Sequence, residues 1–157
     1  MKKRILSALL IVVLCVSLAA CGEKTEAPKS AGLTAVMETL GVTYDLSHMM
    51  ELTDIDLMDL YGIDTTLTKQ YAARIASSGI DADEIILLEA NDKAAFDTLK
   101  EKITNRYNQK LNEAKDYLPD EYTKITACPV IENGLYIALI VSDDYEAMAK
   151  LYNEAFK

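Results

Sequence analysis

From residue 83 onward the apolar side chains change their period, and that change constrains the fold more than anything else in the chain. Residues 85–88 read Ile-Ile-Leu-Leu, an uninterrupted apolar run typical of a central strand. Asn91 or Asp92 then offers a helix cap. After it, Phe96, Leu99, Ile103, Tyr107, Leu111, Ala114 and Leu118 recur at steps of 3 or 4 residues. That spacing lays one apolar stripe along a helix over residues 92–116, and Pro119 stops it. A buried strand needs neighbours, and a striped helix needs a surface to lie on. Together they require a sheet with helices packed against it.

The neighbours are legible on either side. Residues 71–77 read as a strand, joined to the strand at 83–90 through Ser77-Ser78-Gly79. Residues 125–131 read as a third strand and 135–142 as a fourth. Between these two, Glu132-Asn133-Gly134 is a hairpin signal, because Asn-Gly tolerates positive φ. Ser142 or Asp143 caps a final helix over 143–156, with Tyr145, Met148, Tyr152 and Ala155 on one face. Residues 32–39 read as a short helix. Residues 40–70 are the least legible part, and residues 54–64 within them read as a short helix or an inward-packing loop.

An offset of 52 residues places Ile85, Leu87, Asp92, Ala95 and Leu99 on Ile137, Leu139, Asp144, Ala147 and Leu151. One reading is a duplicated ββα arrangement, each unit burying one sheet face under one helix. The other is that any strand, cap and helix in succession look like this. Either way the expected fold is α+β, a four-stranded, mainly antiparallel sheet with the two long helices packed on it.

The N-terminus carries a different signal. Lys2, Lys3 and Arg4 precede an uncharged, almost wholly apolar run at residues 5–18. That run is shorter than the roughly 20 residues of a membrane-spanning helix and suits the core of a secretory signal. Leu18-Ala19-Ala20-Cys21 closes it and resembles the bacterial lipobox. The resemblance implies cleavage before Cys21, an S-diacylglyceryl group on its thiol and often an acyl chain on the new amine. Two chains give stable anchoring, since each buried methylene contributes about 0.8 kcal/mol. The expected organisation is a signal peptide over 1–20, a lipidated Cys21 with a flexible tether over 21–31, and one globular domain over 32–157. Random-coil scaling gives the tether a span of about 17 Å.

Loss of residues 1–20 leaves 137 residues with 13 basic and 25 acidic side chains, a net charge of −12. No Lys/Arg cluster remains, which argues against nucleic acid and against polybasic contact with anionic lipid. The expected localisation is the outer face of the cell membrane, held by lipid alone. A chain this short does not make the two lobes of a transporter's solute-binding lipoprotein. Cys15 leaves with the signal and Cys21 is acylated, so Cys128 has no partner for a disulfide. It lies in an apolar run and reads as a small buried hydrophobe. A catalytic thiolate would need His48, the one histidine of the chain.

Little chemistry declares itself. Asp54, Asp56, Asp59 and Asp64 invite a calcium loop, but hydrophobics interleave them, with Met58 where a ligand would be needed. They read as a solvated face, and Asp143 and Asp144 as helix-start acids. One histidine and one free cysteine disfavour zinc. No nucleophile elbow, phosphate loop or H-E-x-x-H run occurs. Tyr107, Tyr145 and Tyr152 sit on apolar stripes and read as core, while Tyr117 and Tyr122 flank Pro119 and read as packing that corner. No catalytic, metal or cofactor residue is assigned.

Residues 82–90 lead into a long helix carrying Arg106, followed by Tyr117-Leu-Pro-Asp-Glu-Tyr122, Asn133-Gly-Leu-Tyr136 and Ile140-Val-Ser-Asp-Asp144. This pattern resembles small lipoproteins of anaerobic Gram-positive bacteria that carry a domain of unknown function. The resemblance implies location and fold, and no catalytic residues. The leading functional expectation is a non-catalytic surface module binding a peptide, a wall component or a partner protein. The alternatives are an accessory or sensing subunit of a membrane complex, and an envelope hydrolase.

Overall fold

The computed structural model describes residues 30–157; the signal segment, Cys21 and residues 22–29 of the tether lie outside the described residues. A five-stranded, wholly antiparallel sheet forms the middle layer. In chain order the elements are α1 (Leu33–Thr43), β1 (Met49–Glu51), α2 (Asp54–Tyr61), β2 (Thr68–Ala76), β3 (Glu84–Ala90), α3 (Lys93–Lys115), α4 (Pro119–Thr126), β4 (Ile131–Asn133), β5 (Tyr136–Val141) and α5 (Tyr145–Glu154). The strands lie in the order β1-β2-β3-β5-β4. The α+β class is therefore right, with five strands where four were expected. The extra strand, β1, has three residues and buries only Met49, too little pattern to read from sequence.

Both faces of the sheet are covered. Ile86, Leu88, Ile137 and Leu139 pack under α2, α3 and α4 with Phe96, Leu99, Ile103 and Ile125. Ile85, Leu87, Ala138 and Ile140 pack under α1 and α5 with Leu33, Leu40, Met148 and Tyr152. Two-sided cover explains the continuous apolar runs of β3 and β5. On the second face Tyr136, Tyr152 and Phe156 add edge-to-face ring contacts at 4.7 and 5.0 Å.

The element ends follow local chemistry. Asp92 caps α3 by accepting from Ala95 N at 2.9 Å. Thr53 and Asp56 form a reciprocal capping box on α2, and Gly62 ends that helix at φ +63°. Gly134, also at φ +63°, turns the β4–β5 hairpin.

Two expectations fail here. The strand expected over residues 125–131 is absent except for its last residue, Ile131, which begins β4. Pro119 does not simply stop α3 but opens α4 at its first turn, where its preset φ and missing N–H suit the position. Asp120 and Glu121 follow in that first turn, as the helix dipole favours. Pro129 cannot donate to a ladder, so pairing starts only at Ile131. The duplicated ββα arrangement is not confirmed either. Adjacent antiparallel strands are related by a two-fold axis normal to the sheet, which keeps matched residues and helices on one face. Ile85 and Leu87 instead face α1 and α5, while their counterparts Ile137 and Leu139 face α3. The helices α3 and α5 lie on opposite faces.

Candidate functional site

The chemistry gathers at the N-terminal end of β3. Glu84, the first residue of that strand, is fully buried on the α3 face. Arg106 donates from Nε to Oε1 at 3.2 Å and from Nη2 to Oε2 at 2.8 Å. Lys110 Nζ donates to Oε2 at 2.8 Å. Successive turns of α3 place these two cations side by side. Arg106 also lies 5.1 Å from the centre of the Tyr61 ring, within cation–π range. The Tyr61 hydroxyl is buried with no hydrogen-bond partner among the described residues. Burial, and then the charge of Glu84, push it far above the ordinary tyrosine range. Burial pulls the Arg106 guanidinium down, but its bonds to Glu84 outweigh this and hold it above its usual value.

Two cations against one carboxylate leave a buried excess of positive charge. Lys110 has only 7% of its side chain exposed and Arg106 13%. An ammonium has three donors, and Glu84 is the one acceptor found for Lys110 among the described residues. Both cations line a pocket of about 180 Å³ roofed by the β2–β3 loop over residues 78–82 and walled by α3 and α4. Ile75, Leu118 and Ile125 supply apolar lining, and the more exposed Asp81, Glu113 and Glu121 also line it.

Next to the pocket is an acidic corner. Asp81 and Asp83 stand just before β3, and His48 stands just before β1. His48 Nε2 is 3.2 Å from Asp83 Oδ2 and 3.9 Å from Asp81 Oδ2. Lys124 of α4 reaches Asp83 Oδ1 at 2.8 Å and Glu121 at 3.1 Å, with Asp81 Oδ1 and Asp143 at 3.7 and 3.9 Å. Desolvation pulls the Lys124 ammonium down, but the bonds to Asp83 and Glu121 outweigh it and raise it above its ordinary range. Among the described residues, His48, Asp81 and Asp83 form a set able to hold a metal ion.

Residues singled out from sequence are distributed elsewhere. Cys21 lies outside the described residues. Cys128 is fully buried, its Sγ 3.5 Å from the Ser142 carbonyl, and burial raises its thiol pKa; it is core. His48 pairs with aspartates rather than with Cys128. Asp56 caps α2, Asp64 caps the short 3₁₀ turn Thr65–Leu67, and Asp54 accepts from the Tyr71 hydroxyl. That bond raises the phenol to about 12. Tyr152 is buried, and Tyr107 and Tyr145 are partly buried against the core, as expected. Tyr117 is 85% exposed and does not pack the Pro119 corner.

Sequence reasoning missed Glu84, Arg106 and Lys110 as a unit. Its signal was available: Lys110 falls seven residues after Ile103 and four before Ala114, a charge inside the apolar stripe. The His48 set had no local signal, because 33 and 35 residues separate His48 from Asp81 and Asp83.

Residues 42–142 match the family described as a domain of unknown function, DUF4358. The chain belongs to this family. No curated protein and no solved structure matches it. The DUF4358 span contains all five strands, the pocket and the acidic corner apart from Asp143, but leaves out most of α1 and all of α5. No helix among the described residues is long and apolar enough to cross a membrane.

Proposed function

We propose that this DUF4358 protein is a lipid-anchored, extracytoplasmic binding module whose ligand seat is the pocket at the N-terminal end of β3. The observation that carries the reading is the buried positive excess over Glu84 of Arg106 and Lys110, both of which line that pocket. A desolvated cation with unused donors is a strong seat for an anionic oxygen. The exposed Glu113 and the partly exposed Asp81 and Glu121 favour an amine at the mouth. A small zwitterionic group fits both, as in a free amino acid or the end of a peptide. At about 180 Å³ the pocket is smaller than the roughly 300–1,000 Å³ of drug-sized sites. The ligand is therefore a small molecule or one terminal residue of a longer one.

Titration calorimetry with alanyl-alanine, against acetate and methylamine as single-charge controls, tests the seat. Saturable binding of the dipeptide, weakened at least tenfold in Lys110→Met, supports it. No binding, or equal binding by the variant, defeats it. The lipobox-like Leu18–Cys21 supports the anchor. Cys21→Ser should leave an unprocessed or soluble protein on cell fractionation; a variant that is cut and membrane-bound as before removes the anchor from the proposal. The exposed Ile55, Met58 and Leu60 of α2 favour a second reading, a subunit of a membrane complex. Crosslinking in intact cells that returns only monomer counts against it.

A further inference from the structure

We infer that His48, Asp81 and Asp83 form a binding site for a divalent transition-metal ion such as zinc or manganese, beside the ligand seat and sharing Asp81 with its mouth. The argument starts from where the ligand atoms point. His48 Nε2 is 3.2 and 3.9 Å from the Oδ2 atoms of Asp83 and Asp81. All three ligand atoms lie within 4.8 Å of one another. Around a four-coordinate metal with bonds of 2.0–2.2 Å, ligand atoms stand about 3.4 Å apart. The three atoms thus need shifts of only a few tenths of an ångström to about 1 Å to meet one ion.

The other oxygen of each carboxylate is already held. Asp83 Oδ1 accepts from Lys124 Nζ at 2.8 Å, and Asp81 Oδ1 accepts from the Asp83 backbone N–H at 2.9 Å. These bonds orient the two free Oδ2 atoms toward the imidazole, as outer partners orient ligands in metal sites. The backbone is fixed too, since Ser77 N donates to the His48 carbonyl at 2.9 Å and Ala76 N to the Asp83 carbonyl at 2.9 Å. Lys124 does not neutralise the corner. Four carboxylates, Asp81, Asp83, Glu121 and Asp143, lie within 4 Å of its single ammonium, which leaves a charge of −3. A divalent ion reduces that repulsion.

One imidazole with two carboxylates is a borderline donor set. It suits zinc or manganese better than calcium, which takes six to eight oxygens. His48 is 40% exposed, so positions beyond the three protein ligands open to solvent. The competing account is a plain imidazolium paired with two aspartates, with no role for metal.

Calorimetry on the full-length protein, purified in detergent without a polyhistidine tag and stripped with chelator, separates the two. Zinc, manganese and calcium chloride are each titrated alone. The expected result is one saturable equivalent for at least one of zinc and manganese, weakened at least tenfold in His48→Ala and in Asp83→Asn. Circular dichroism melts without metal guard against a folding defect, and Asp81→Asn serves as the second variant if Asp83→Asn unfolds. No saturable binding of zinc or manganese overturns the site, as does unchanged affinity in His48→Ala. Calcium bound as tightly as the better of the two overturns the assigned ion class. Neither outcome touches the Lys110 test of the dipeptide seat.

Discussion

Glu84 and Glu89 sit at opposite ends of β3 and on opposite faces of the sheet. Both are buried, and the chain satisfies them by different means. Glu84 meets two full charges that are themselves buried, Arg106 and Lys110. Glu89 meets the Gln70 amide at 2.6 Å and the half-exposed Lys69 at 3.3 Å. Burial opposes ionisation of Glu89, but hydrogen bonds from Gln70, Tyr136 and Lys69 outweigh it and hold its carboxyl below the ordinary glutamate value. Gln70 also binds the chain entering the domain, donating to the Ala31 carbonyl at 2.8 Å and accepting from Leu33 N at 2.9 Å. The Glu89 end is a closed network that fastens one segment to another. The Glu84 end carries surplus charge and unused donors beside a pocket. Surplus polar capacity inside a core destabilises unless something uses it, and on that difference rests our proposal that the Glu84 end is the binding end.

The largest effect should come from Glu84→Gln. It leaves Arg106 and Lys110 buried without a counter-charge, and removing one partner of a buried pair costs about 3–5 kcal/mol. Urea unfolding measures it, and a loss no greater than that of Glu89→Gln would break the contrast. For Glu89→Gln the expected loss is about 1.5–3 kcal/mol, the range for hydrogen bonds to a charged group. Its pH dependence has a definite sign. The folded-state pKa of Glu89 is depressed, so its contribution is present above the ordinary value of 4.5 and disappears as pH falls through the folded value. The gap between wild type and Glu89→Gln should therefore close in acid. Tyr136→Phe removes the hydroxyl that meets Ala31 N and Ser30, and should cost about 1 kcal/mol in the same assay. The smallest loss is expected for replacing Glu84, Arg106 and Lys110 together by Met. Exchanging a whole buried ion cluster for apolar groups is often neutral or stabilising. Retained stability with lost dipeptide binding would show that the cluster serves the ligand rather than the fold.

Period carried most of what sequence could convey. The runs of β3 and β5 and the stripe of α3 depend on burial alone, and burial leaves a regular imprint. Segments whose identity rests on few buried residues left none. Among them, β1 buries Met49 only and α4 buries Ile125 only. The site was harder to read for a physical reason. Glu84 is the first residue of an apolar strand, and its meaning depends on Arg106 and Lys110, 22 and 26 residues later. His48 reaches its aspartates only because β1 pairs with β2 and β2 with β3.

The Glu89 network also gives the domain a polarity. Ser30 and Ala31 enter beside Tyr136 and Gln70, at the end of β3 remote from His48 and the pocket. From Asp83 to Ala90 an antiparallel strand runs about 23 Å. On the anchoring we propose, the tether from Cys21 joins the domain at one pole of the sheet and the charged pole lies at the other. On that proposal the strand adds its length to the tether, holding the pocket and the acidic corner at the pole away from the point of attachment.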